Sequence, residues 1–262
     1  MEITLSGKTA VVCGSTQGIG LAIAEAFAAA GATCFLVSRS EASLSRVTDS
    51  LAQPDGQKHR FFVADFTDKE AVSSVAKEIA AITDVHILVN NSGGPKPGPI
   101  TSAETEAFTR GFEQHIVNNQ VLAQTLLAGM QRNNYGRIIN VVSTSVKQPL
   151  NNLGVSNTIR AAVAGWAKTW SNEVGQFNIT VNNILPGLTE TARLHALLET
   201  MSKNSGLSTD VIANNLKNEI PLRRFGAAAE LAALALFLAS PLASYITGTS
   251  IAVDGGRTAT LS

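Results

Sequence analysis

The chain of 262 residues has no surplus of charge, with twenty Lys and Arg set against twenty Asp and Glu. That balance leaves no basic field for nucleic acid, and the absence of a Lys/Arg-rich run leaves nothing for an anionic membrane surface. No apolar stretch reaches the length of a membrane span, and Met1-Glu2-Ile3-Thr4 lacks the basic start and apolar core of a signal peptide. A soluble cytoplasmic protein is expected. Cysteine is scarce. Cys13 and Cys34 both fall in predicted buried strands and read as small apolar packing residues in a reducing compartment. Tyrosine is equally scarce, with only Tyr135 and Tyr245. What remains, 45% hydrophobic and 15% charged residues, gives ample core and points to a small-molecule partner.

The most informative stretch is Val11-Val12-Cys13-Gly14-Ser15-Thr16-Gln17-Gly18-Ile19-Gly20. An apolar strand from Lys8 to Val12 precedes it, and an alanine-rich helical run from Leu21 to Ala30 follows. This is the strand–turn–helix context in which a dinucleotide sits. Gly14 permits the turn, Gly18 leaves room for a pyrophosphate, and Gly20 lets the helix approach closely, while the helix N-terminus offers free N–H groups to phosphate.

From there the chain alternates strand and helix without a linker. Strands are predicted at 33–38, 61–64, 85–89, 137–142, 180–184 and 250–253, and helices at 42–53, 68–83, 103–132, 157–176 and 228–238. Thr67 or Asp68 caps the helix at 68–83. The segment 186–223 reads as a mixed insertion of loop and helix. Seven strands joined by helical crossovers predict a single α/β domain over residues 1–262, a doubly wound Rossmann fold with a seven-stranded parallel sheet and helices on both faces.

These residues resemble the short-chain dehydrogenase/reductase family from end to end, closest to its beta-ketoacyl-carrier-protein reductase-like members. The resemblance is carried by Gly14-x-x-x-Gly18-x-Gly20, Asp65 after the third strand, Asn90-Asn91-Ser92-Gly93, Ser143 after the fifth strand, Asn182-x-x-x-Pro186-Gly187, Ile246-Thr247-Gly248 and Val253-Asp254-Gly255-Gly256. It implies the cofactor site. The residues after the second strand choose between NAD and NADP, and here they are Ser38 and Arg39, with no acidic residue to repel a phosphate. NADP(H) is therefore the expected cofactor, unless Arg39 is merely an exposed strand-end arginine. By the same resemblance Ser15, Thr16, Gln17 and Ile19 belong to the phosphate turn. Asp65 and Phe66 flank the adenine, Asn91 and Gly93 the ribose side, and Pro186, Gly187 and Thr191 the nicotinamide. Thr191 could equally be a helix-start residue.

The catalytic positions depart from the family. Its Tyr-x-x-x-Lys pair, serine and helix asparagine fall, counted without a gap, on Ser156, Arg160, Ser143 and His115, and only the serine is retained. The run Gly136-Arg137-Ile138-Ile139 before Ser143, and Arg160-Ala161-Ala162 after it, hold the register from both sides, with no tyrosine between Tyr135 and Tyr245. A serine hydroxyl and a guanidinium cannot reproduce the tyrosine–lysine proton relay. Arg160 could still hold ribose hydroxyls and place charge near a developing alkoxide. His115 is a candidate proton donor or a packed core histidine, and Lys147 a second donor or a solvated loop lysine. Ser143 faces the substrate or caps its strand. Asn151, Asn152 and Asn157 suggest a polar pocket wall. Residues 188–224 form the family's substrate lid, in which Leu194, Leu197, Leu198 and Met201 line an apolar substrate or pack the lid down.

Three activities fit. The first is an NADP-dependent oxidoreductase on a carbonyl or alcohol, such as a 3-oxoacyl ketone, with an atypical proton donor. The others are a non-redox isomerase, lyase or hydrolase on the same scaffold, and a catalytically silent NADP-binding subunit or sensor. The resemblance further implies a homodimer or homotetramer built on the two long helices, with Ala161, Ala162, Ala164, Trp166, Ala167 and Trp170 buried either inside the subunit or between subunits.

Overall fold

The strands read as nearly continuous apolar runs because helices cover both faces of the sheet. In the computed structural model, which describes residues 3–260, the first half runs β1 (Thr9–Cys13), α1 (Gly18–Ala29), β2 (Thr33–Ser38), α2 (Glu41–Ser50), β3 (Arg60–Val63), α3 (Lys69–Ile82) and β4 (Ile87–Asn90). The second half runs α4 (Thr105–Phe112), α5 (Asn118–Arg132), β5 (Gly136–Val141), α6 (Gly154–Val174), β6 (Ile179–Pro186), α7 (Ala192–Ser205), α8 (Thr209–Asn218), α9 (Ala228–Ala239) and β7 (Ser250–Val253). All seven strands are parallel, in the order β3-β2-β1-β4-β5-β6-β7. The order reverses between β1 and β4. At such a switch point the loops leaving the two strands diverge and open a crevice. One core, with Ile23, Phe27, Leu36 and Leu231, fills one face, and another, with Phe62, Ile79, Leu126 and Ile138, fills the other. No helix among the described residues is long and apolar enough to cross a membrane. Cys13 and Cys34 are buried and unbonded, and burial pushes both thiols up to about 12, so they pack rather than react.

Two differences from the predicted elements bear on the site. The long helix expected at 103–132 is interrupted by a π-helical turn over Glu113–Val117, which separates α4 from α5 and is centred on His115. The helix expected from 157 begins at Gly154, which puts Ser156 in its first turn. Glycine hides a helix start because its propensity is poor, yet a side chain at 154 would lie 2.5 Å from Ile100 Cβ, so the close approach of that loop requires it. Asp68, not Thr67, caps α3, its Oδ1 accepting from the N–H groups of Glu70 (3.0 Å) and Ala71 (3.1 Å).

A polar ladder crosses the second half of the sheet, from the ends of β4 and β5 through the middle of β6 to the start of β7. Asn90, Asn140, Asn183 and Ser250 stand in register on β4 to β7. Asn90 Nδ2 donates to Asn140 Oδ1 (2.9 Å), Asn140 Nδ2 to Asn183 Oδ1 (2.8 Å), and Asn183 Nδ2 to Ser250 Oγ (3.1 Å).

Candidate active site

The crevice begins at the glycine turn. Gly14 has φ +59° and its N–H donates to the Val37 carbonyl at 2.8 Å, tying the end of β1 to β2. The Asn91 side chain, arriving from β4, donates to the carbonyls of Cys13 and Gly14, each at 3.2 Å. A Cβ at Gly14 would strike the Asn91 carbonyl, and one at Gly20 would strike the Gly14 carbonyl and lie 2.6 Å from Asn91 Nδ2. Gly20 thus serves close packing of α1 on the ends of β1 and β4. Gly18, at φ +55°, has only the Thr191 methyl nearby, 3.3 Å from where a Cβ would stand.

Three features fit this turn to a diphosphate. The N-terminus of α1 carries no side-chain cap and no acidic residue in its first turn. Ser15 Oγ is buried and finds no partner among the described residues. Space is left at Gly18. Peptide N–H groups and the helix dipole at such an end favour an anion. Thr16 Oγ1 and Ser38 Oγ lie 3.3 Å apart beside the exposed Arg39. Asp65 is engaged elsewhere. Its carboxylate accepts from the Thr67 N–H and hydroxyl (both 2.9 Å), and these bonds, with a smaller contribution from Arg39, hold its pKa below the usual carboxylate range. Phe66 packs into the core, and its carbonyl accepts from Asn118 Nδ2 at 2.7 Å. Gly187 is required by β7, since a Cβ there would lie 2.6 Å from Asp254 Cβ, and Pro186 closes β6 in register with Val253. Thr191 caps α7, its Oγ1 accepting from the Leu194 N–H at 3.4 Å, and the same residue's methyl group covers Gly18. The helix-start use expected for it is the one the hydrogen bonds show. Ile19 packs against the core next to the turn, Gln17 is exposed, and Gly93 faces open space.

The positions expected to be catalytic lie at the mouth of β4, β5 and α6. Ser143 Oγ accepts from the Ser145 N–H at 3.1 Å and so caps the short turn after β5, which leaves its hydroxyl hydrogen free to donate. Ser156 is buried in α6 and its hydroxyl makes no hydrogen bond among the described residues. Arg160 is buried at 7% exposure, and its Nη1 donates to the Val141 carbonyl at 3.2 Å. Burial, reinforced by nearby Arg193, pulls its pKa down to about 10, still fully charged at neutral pH. Arg193, on the first turn of α7, was not anticipated. A Cβ at Gly94 would lie 2.9 Å from Arg160 Nη2 and 3.1 Å from Arg193 Nη2, so both guanidinium groups converge on one point of the β4 loop.

His115 carries two readings, proton donor or packed core histidine. It is buried, with Nδ1 3.1 Å from Ser92 Oγ and Nε2 finding no partner. Burial first, then the charges of Arg160 and Arg193, push its pKa down to about 3. At that pKa the ring is neutral at pH 7, and its burial with one nitrogen engaged matches the packed core histidine that was the other reading of this position. Lys147 follows the turn after Ser143, half-buried, with no side-chain hydrogen bond among the described residues. The asparagine wall is revised. Asn157 binds the backbone of Leu150 (Nδ2 to O, 2.9 Å), so its amide shapes the loop, and the backbone carbonyl of Asn152, at φ +58°, accepts from the Gly98 N–H at 2.7 Å. Two cavities of about 180 Å³ flank the site, one lined by Thr144, Gln148 and Arg257, the other by Lys96, Ala107 and Val155. The leucines of segment 188–224 pack among themselves. Leu194, Leu198, Ile212, Leu216 and Phe225 form a separate small core, with Leu197 and Met201 against it.

A parallel sheet with a glycine turn, an open helix N-terminus and polar groups at its switch point defines a dinucleotide-binding protein of the doubly wound class. A family model described as enoyl-(acyl carrier protein) reductase matches residues 14–258. The chain is 34% identical over 259 residues to a 3-oxoacyl-(acyl-carrier-protein) reductase of Aquifex aeolicus, covering 98% of this chain and 99% of the relative. It is 33% identical to the NADPH-dependent reductase BacG of Bacillus subtilis, over 96% and 98%. Among solved structures it superposes on L-sorbose reductase from Gluconobacter frateurii complexed with NADPH and L-sorbose, with a TM-score of 0.94, 35% identity and full coverage of both chains. It also superposes on YwfH, an NADPH-dependent reductase involved in bacilysin biosynthesis, with a TM-score of 0.92, 32% identity and coverage of 98% and 100%. The chain belongs to the short-chain dehydrogenase/reductase family.

Proposed function

We propose that this protein is an NADP-dependent oxidoreductase interconverting a carbonyl and an alcohol, with Ser156 and Arg160 in place of the family's tyrosine and lysine. The observation that carries the reading is the intact crevice, in which Gly14, Gly20 and Asn91 interlock around an uncapped helix N-terminus. Relatives named as NADPH-dependent reductases and as reductases of keto compounds support it. When bound, the nicotinamide supplies or accepts the hydride. The glycine turn, with Ser15 and Gln17, takes the diphosphate, and Thr16, Ser38 and Arg39 take the ribose phosphate that distinguishes NADP from NAD. Asn91 and Gly93 lie on the ribose side, and Pro186, Gly187 and Thr191 at the nicotinamide.

Ser143 donates to the substrate oxygen, and Arg160, charged and shielded from water, sets a fixed positive charge against the developing alkoxide. His115 stays neutral and holds the β4 loop through Ser92. The proton comes from water or from Lys147 on the rim. Segment 188–224 covers the site as a lid. Self-association uses α4, α5 and α6, through outward small residues such as Ala161. Trp166 and Trp170 both donate their indole N–H to Gln120 Oε1 within the subunit, at 2.8 and 2.9 Å.

Titration of NADPH fluorescence with purified protein, followed by addition of ketones, beta-ketoacyl thioesters and quinones, tests the reading. Binding with consumption of NADPH supports it. Binding without turnover across the panel favours the silent cofactor-binding subunit, and no binding sinks both.

A further inference from the structure

Two positive groups meet in the crevice with nothing negative between them. Arg160 Nη2 and Arg193 Nη2 both lie within 3.1 Å of one point above Gly94, so their separation is no more than the sum of those two contacts. Neither forms an ion pair with a carboxylate among the described residues, where the ion pairs are Arg132–Asp84, His195–Glu190, Arg224–Glu230 and Arg257–Glu219. Arg160 is nine-tenths buried and its hydrogen bond goes to a neutral carbonyl. Like charges held this close, one of them desolvated, oppose folding unless an anion offsets them. The surroundings are neutral donors or nearly so: Ser92 and the uncharged His115. The arrangement also joins two elements, since Arg160 belongs to α6 and Arg193 to the first turn of α7.

We infer that Arg160 and Arg193 form an anion-binding fork and that the substrate carries an oxyanion, a carboxylate or phosphate, within two carbons of its reacting carbon. Two guanidinium groups offer planar paired donors matched to such an anion, and Arg193 would draw α7 toward the bound substrate. The inference rests on the proposed function for the place of the substrate. A second source of the same chemistry is the cofactor's own diphosphate, and the test separates the two.

Acetoacetate and its neutral ethyl ester are titrated calorimetrically into the full chain saturated with NADP+. The acid is expected to bind about 10-fold more tightly than the ester, and Arg193→Met to abolish that preference while NADP+ affinity stays within about twofold. Arg193 is exposed on α7, so the variant keeps its fold. Equal binding of acid and ester, or binding of neither, overturns the inference, as does a preference that survives Arg193→Met. A roughly tenfold loss of NADP+ affinity in the variant with the acid preference unchanged assigns Arg193 to the cofactor's phosphates and overturns it too. The readout is binding, so failure of NADPH turnover would count against the oxidoreductase reading without deciding this one.

Discussion

Replacing Asn140 by leucine tests whether the polar ladder holds β4, β5, β6 and β7 together. The substitution keeps the volume nearly constant but leaves Asn90 Nδ2 without its acceptor and Asn183 Oδ1 without its donor. Asn90 Oδ1 already finds no partner among the described residues, so its whole amide would be stranded. Each orphaned buried group costs roughly 1–3 kcal/mol, so Asn140→Leu should destabilise by about 3 kcal/mol. For a chain of this size that is a fall in Tm of roughly 6–12 °C. Asn183→Leu alone strands Asn140 Nδ2 and takes the donor from Ser250. In the double variant the Asn140–Asn183 bond is gone from both sides. Its cost should therefore fall short of the sum of the singles by about 2 kcal/mol or more. Equilibrium urea unfolding without cofactor, at one protein concentration, gives all three values on a common footing. A single-variant loss below about 0.5 kcal/mol, or strict additivity, would refute the reasoning.

His115 makes stability depend on acidity. Its folded pKa of about 3 lies below the ordinary 6.5, so the unfolded chain binds the extra proton between these values and stability falls as pH drops from 6.5 toward 3. His115→Asn should flatten this slope, gaining about 2 kcal/mol on the parent between pH 7 and pH 5 in urea unfolding; parallel profiles would contradict the shift. Gly20→Ala should unfold more readily than Gly18→Ala, because its Cβ drives into the Gly14 carbonyl while alanine at Gly18 costs about 1–2 kcal/mol for its φ of +55° and meets a threonine methyl at 3.3 Å, and thermal melts ranked the other way would exclude this packing. Arg39→Glu should weaken NADPH binding by about 10- to 100-fold and spare NADH, as followed by cofactor fluorescence; equal loss for both would remove Arg39 from the phosphate site.

The fold was legible because its signals are local. Apolar strands alternate with helical runs, and Gly14 and Gly20 stand where a left-handed turn or a close backbone approach admits no other residue. The interlocked glycine turn and the uncapped start of α1 follow from the same stretch. Long-range terms were hidden. The neutrality of His115 depends on Arg160 and Arg193, which the sequence does not show to be neighbours. The ladder needs the register of four strands, and Asn90 alone looks like part of a turn. Helical spacing marked Leu194 and Leu198 as one face but could not say that Ile212 and Leu216 cover it. Asn157 looked like pocket wall because residue type does not reveal that its amide turns back to Leu150. The motif that marks Phe66 does not reveal that its ring packs into the apolar core.

Hydride transfer without a tyrosine is the central claim, and isotope transfer reads it directly. NADPH carrying deuterium at the reactive carbon of its nicotinamide is incubated with the protein and the carbonyl panel, and the products are examined by mass spectrometry. The account predicts an alcohol carrying one deuterium on the former carbonyl carbon, lost on replacing Ser143 by alanine. NADPH bound with full affinity while no product acquires deuterium would contradict it.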